Sequence, residues 1–174
     1  MNYSSSMLNG EERLSSRGFT LIELMVTTAV LAIILGIAIP SFSEITLGNK
    51  LSSYANNLVA SAHLARSEAI KRNAVVTMCA SSNGLSCDSG EWQQGWIITS
   101  VGELIFKQQA LATGFKITET NDMTDLSFQP TGYGATQATF TVCRATPSAG
   151  ASERVVTISF TGKPNVAKTA YGIC

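Results

Sequence analysis

Arg17-Gly18-Phe19-Thr20-Leu21-Ile22-Glu23-Leu24, continued by an apolar run to residue 39 and then Pro40, is the stretch on which the reading of this chain turns. From residue 19 to residue 39 the side chains are almost wholly apolar, about the 20 residues that a helix needs to cross a bilayer. Pro40 follows as an expected stop, because proline cannot donate the next helical hydrogen bond. One charge interrupts the run. A carboxylate at Glu23 is costly in hydrocarbon, so its presence there calls for a reason. Ahead of the run, residues 1–18 are polar, carry Glu11, Glu12, Arg13 and Arg17, and hold none of the apolar core of an ordinary secretory signal. They read as a removable leader.

The octapeptide from Arg17 to Leu24 resembles the processing site of type IV prepilins. In that family a membrane-bound prepilin peptidase cuts after the glycine and methylates the new terminal amine. The resemblance implies a cut between Gly18 and Phe19, N-methylation of Phe19, and Glu23 as the fifth residue of the mature chain. It also implies why Glu23 is there. Inside a packed filament the carboxylate can meet the terminal amine of a neighbouring subunit and set the register of helices that would otherwise slide.

Downstream, the apolar pattern becomes amphipathic over 41–73, with Leu47, Leu51, Tyr54, Leu58, Ala62, Ala65 and Ala69 recurring at threes and fours. Lys50, Asn56, Asn57, Arg66 and Lys71 are expected toward solvent. His63 reads as a solvated helix histidine rather than a ligand. After Asn73 the period changes to short β-rich runs at 75–79, 95–99, 104–108, 115–119, 126–129, 139–144 and 155–161, divided by turn glycines. The expected class is α+β: a long N-terminal helix, half membrane-spanning and half amphipathic, covering one face of an antiparallel sheet in a globular region 74–174.

Four cysteines, Cys79, Cys87, Cys143 and Cys174, fall in that region with no C-x-x-C pair, a poor fit to zinc. In an exported domain an even count reads as two disulfides, and three connectivities are open. Cys79 with Cys87 and Cys143 with Cys174 is the favoured set. The first pair flanks the turn-forming Ser81-Ser82-Asn83-Gly84, and the second would staple the chain end to a strand.

This region resembles minor pilins and pseudopilins of the GspH/FimT type. The carrying residues are Ala65-Arg66-Ser67-Glu68-Ala69, Cys79 with Cys87, Trp92-Gln93-Gln94-Gly95-Trp96, and Ser159-Phe160-Thr161-Gly162 before a terminal cysteine. Trp92 and Trp96 read as core or loop anchors. Some FimT-like pilins of transformable bacteria bind DNA through a C-terminal G-R-x-R, which aligns here with Gly162-Lys163-Pro164-Asn165. Only the glycine and one cation match, and lysine lacks arginine's planar fork. With Arg144, Arg154 and Lys168, Lys163 forms the set that double-stranded DNA would meet.

Formal net charge is zero, so no overall field draws in nucleic acid or anionic lipid. One histidine and scattered serines assemble no nucleophile with a base, and no catalytic residue, metal site or cofactor is expected. The resemblance implies a minor pilin acting in pilus assembly, with other minor and major pilins, the prepilin peptidase and the inner-membrane assembly platform as partners. It implies a single-pass inner-membrane protein with its β domain in the periplasm, later part of an extracellular pilus. A DNA receptor for uptake is the second reading, and a GspH-type pseudopilin of type II secretion, which shares the leader and helix, is the third.

Overall fold

The computed structural model describes residues 18–146, 152–170 and 174, apart from the side chains of residues 39–41. The expected leader lies outside the described residues except for Gly18. The chain divides at Ser43/Glu44 into two compact units.

Helix α1 runs over Leu21–Arg72 and passes through Pro40 without ending. The stop expected at Pro40 is not seen, whereas the long helix of two halves is. Proline removes a single donor from the ladder, and a helix propagates cheaply once nucleated, so strong helix-forming sequence on both sides carries it across. Within the first unit the apolar side chains stand exposed, from Leu21 and Ile22 to Ile34 and Ile37. This stretch is long and apolar enough to cross a membrane.

In the second unit α1 buries Leu47, Leu51, Ala55, Leu58, Ala62, Ala65 and Ala69. Leucines give way to alanines toward the C-terminus, so the backbone there can approach its neighbours closely. Tyr54, placed on the apolar stripe by periodicity, sits half-buried at its edge, with its ring 5.1 Å from that of Phe115 in an edge contact. Its hydroxyl accepts from the backbone N–H of Ala112. Ala55 takes the buried place. The helix closes with Asn73 at φ 50°, its N–H donating to Ile70 and that of Ala74 to Ala69. Both bonds satisfy carbonyls the last turn would leave open.

Among the described residues eight strands follow: β1 Val76–Ala80, β2 Trp96–Ser100, β3 Glu103–Gln108, β4 Phe115–Glu119, β5 Asp125–Phe128, β6 Ala138–Arg144, β7 Glu153–Ile158 and β8 Pro164–Thr169. They form two antiparallel sheets, ordered β3-β2-β1-β5 and β4-β6-β7-β8, as the expected antiparallel β region packed on the helix. One core joins α1 to both sheets. Strand β8 has no counterpart in the sequence reading, because Pro164 and Asn165 look like turn residues. Proline at the first residue of an edge strand costs nothing in the ladder, and β8 is such a strand.

Two indoles tie the layers together. Trp96, wholly buried, donates from Nε1 to Ser61 Oγ on α1 at 2.9 Å. Trp92, in a short 3-10 turn, donates to the carbonyl of Met123 and meets Phe140 edge-on at 4.9 Å.

Cys79 is bonded to Cys87, and Cys143 to Cys174. The spans are 8 and 31 residues. Loop-closure entropy makes the longer one worth more, about 3.7 kcal/mol against about 2.5 kcal/mol. Paired Cys→Ser variants should therefore lower the unfolding free energy in that order, and denaturant titration under non-reducing conditions would show a reversed order if the entropic argument were wrong.

Just past the shorter loop, Asp88 reaches back into it and accepts from Ser82 Oγ at 2.6 Å and Ser82 N–H at 2.9 Å, and from Gly90 N–H at 2.8 Å. The Ser82 hydroxyl first, then the two backbone donors, hold its carboxyl below the usual range. A carboxyl depressed by folding contributes stability above its unfolded value, near pH 4, and loses it as pH falls through the folded value. The protection of amides in residues 80–90, taken relative to their intrinsic exchange rates, should thus fall in acid, and Asp88→Asn should be loosened already at neutral pH. Equal protection in both proteins at pH 7 would refute this.

Candidate functional site

The first turn of α1 is built from Thr20 and Glu23. Thr20 Oγ1 accepts from the N–H of Glu23 at 3.2 Å, while the N–H and hydroxyl of Thr20 donate to Glu23 Oε2 at 3.1 and 3.0 Å. This is a reciprocal capping box, satisfying donors that a helix start leaves open and placing an anion at the positive end of the dipole. Both donors go to one oxygen, so Glu23 keeps an acceptor face for a further cation. The role of Thr20 was missed in the sequence reading, although Thr-x-x-Glu ahead of an apolar run is a legible signal for it. Gly18 and Phe19 precede this turn, and Phe19 is exposed.

The four cations of the possible DNA set do not gather into one patch. Arg154 and Lys168 are direct cross-strand partners on β7 and β8. Arg144 ends β6, two residues beyond the Val142 that pairs with Arg154, and so lies toward the same end of the sheet. Lys163 sits in the Ser159–Lys163 turn, five strand residues from Lys168 or roughly 17 Å away. It lines a separate shallow cleft of about 570 Å³ with Thr120, Asn121, Thr139, Thr157 and Asn165. Most of its lining side chains carry a hydroxyl or an amide, and among the described residues Lys163 is its one charged member.

Arg154 is largely engaged by its own chain. Nε donates to Ser52 Oγ at 3.2 Å, Nη1 to the Glu153 carbonyl at 3.0 Å and Nη2 to the Gly48 carbonyl at 3.5 Å. These bonds hold β7 against α1. Arg66 is not the solvated residue expected: its Nε is buried without a hydrogen-bond partner, and its side chain runs beneath Gly162, where an added Cβ would lie 3.1 Å from Arg66 Cδ.

Nothing among the described residues resembles a reaction centre. Buried Glu119 spends its carboxylate on the N–H groups of Asn121, Met123 and Thr139. No cluster of three metal-ligating side chains occurs among the described residues. His63 is exposed on α1. The ion pairs found link Glu68 to Lys71 and Arg72, and Arg72 to Glu103, and they fasten the end of α1 to β3.

Comparison with known proteins agrees with this geometry. Residues 54–162 match the family described as type II transport protein GspH, and residues 13–39 match the prokaryotic N-terminal methylation motif. No curated protein matches the chain. Two crystal structures of the type IV minor pilin FimU from Pseudomonas aeruginosa strain PAO1 are similar in fold. The first, in space group P65, has a TM-score of 0.54 at 23% identity, covering 67% of this chain and 92% of that one. The other, in space group P21, has a TM-score of 0.56 at 23% identity, covering 68% and 89%. The likeness is one of architecture: a long N-terminal helix followed by antiparallel sheets.

Proposed function

Given that this chain belongs to the GspH family of pilins and pseudopilins, we propose that it is a minor pilin that takes part in initiating a type IV pilus. The observation that carries the reading is the methylation motif at 13–39 leading directly into one helix, α1, that enters the GspH region. In this reading prepilin peptidase cuts after Gly18 and methylates Phe19. The apolar half of α1 stores the subunit in the inner membrane, with the disulfide-bonded β unit in the periplasm. The assembly platform then extracts it, and the same apolar surface packs against other minor and major pilins.

Thr20 and Glu23 supply the polar part of that packing. The capping box orients the Glu23 carboxylate at the helix start, where it receives the methylated amine of a neighbour and sets the axial register. The family's description as a type II transport protein favours a second reading, a pseudopilin of a secretion system.

Intact mass and terminal sequencing of the mature protein test the shared premise. The expected chain begins at N-methylated Phe19, and any other terminus would remove both readings. Deletion then separates them. Loss of pili and twitching is expected, whereas periplasmic build-up of secreted enzymes with normal pili would favour the secretion role.

A further inference from the structure

Arg154 and Lys168 face each other across β7 and β8 as direct partners. Like charges in that position repel and destabilise the pair, so something must offset them. The described residues do not: the bonds of Arg154 all go to neutral oxygens, and neither cation makes an ion pair. Both line a cleft of about 360 Å³ with Glu44, Ile45, Asn49 and Ser152. Two cations against one carboxylate leave it net positive. Asn49 and Ser152 add uncharged donors, and Ile45 adds an exposed apolar side chain, 59% accessible.

We propose that this cleft binds the phosphate headgroup of an anionic phospholipid. The repelling pair calls for an anion with several acceptor oxygens, which a phosphate diester provides. The choice of lipid over other phosphates comes from chain connectivity. Only residues 40–43 separate the hydrophobic run from Glu44, and a link of that length holds Glu44 within about 18 Å of residue 39. Apolar Ile45 beside the cations suits a headgroup with acyl chains attached, and would gain nothing from a free ion. This inference rests on the membrane-stored state proposed above. Its consequence is a grip on the bilayer surface that must be released when the subunit is extracted.

Full-length protein in zwitterionic detergent micelles, titrated with phosphatidylglycerol and followed by native mass spectrometry, tests it. Retained phosphatidylglycerol is expected, with phosphatidylcholine retained far less. Lys168→Gln, a change to an exposed side chain on edge strand β8, should weaken retention about fivefold, the worth of one lysine near an anionic surface. Lys163→Gln should leave it unchanged. Equal loss from both variants would mean diffuse charge and overturn the site. Displacement of the lipid by inorganic phosphate at matched concentration would make it a free-anion site, and displacement by a DNA duplex would make it a nucleic-acid contact. Either result overturns the lipid assignment. The minor-pilin reading fails separately, on an unmethylated or differently cut N-terminus.

Discussion

Glu23→Ala is expected to give a chain that is cut after Gly18, methylated and held in the membrane, yet depleted at least roughly tenfold from sheared filaments. The carboxylate accepts two hydrogen bonds within its own first turn, from the N–H and the hydroxyl of Thr20. Alanine removes both, and it also removes the charge that would meet a neighbour's amine. An amine drawn into an apolar filament core without its partner is strongly unfavourable, which is why the loss should be large. Glu23→Gln divides the two roles. The amide can still accept from Thr20 and keep the cap, but it offers no charge. If Gln assembles as wild type while Ala does not, local capping is the function of Glu23. If both fail while Thr20→Val, which lacks the hydroxyl, assembles nearly normally, the charge matters across subunits. Normal incorporation of the alanine variant would remove the register mechanism altogether.

Trp96→Ala should lower the stability of the globular unit by about 3–5 kcal/mol, the usual cost of emptying a buried indole site. A domain has about 5–15 kcal/mol to lose, so this single change brings it close to unfolding. Trp96 is fully buried on β2 and its Nε1 donates to Ser61 Oγ, which is itself buried. Truncation leaves a cavity between β2 and α1 and an unsatisfied hydroxyl. Ser61→Ala alone should cost only about 1–2 kcal/mol, because it deletes the bond without the volume. The chain has two tryptophans, so in the variant the fluorescence of Trp92 alone reports unfolding in urea. An unchanged midpoint would show that the indole is not what joins the helix to this sheet.

Much of this molecule was legible before any coordinates. The apolar run at 19–39, the amphipathic spacing from Leu47 to Ala69 and the alternating runs behind them are one-dimensional patterns with a direct physical meaning. The β4 reading at 115–119 coincides with Phe115–Glu119, and the other six expected strands each overlap an observed one within a few residues. Three things were misread for identifiable reasons. Pro40 was taken as a stop, although helix propagation from both sides outweighs one lost donor. Pro164 hid β8, because edge-strand status is a property of the sheet and not of the residue. Arg66 was placed in solvent on helical periodicity, whereas its stem runs under Gly162 in a turn nearly a hundred residues away.

What the sequence determined by itself is therefore the order of parts: processing motif, apolar helix, amphipathic helix, then strands stapled by disulfides. Those follow from periodicity and local composition, which act between neighbours in the chain. Only the tertiary structure decided that the strands split into two sheets, that Lys163 is parted from Arg154 and Lys168, and that the latter two oppose each other in register. Strand pairing joins residues far apart in sequence, and its register depends on which faces the shared core can bury. No local pattern carries that information.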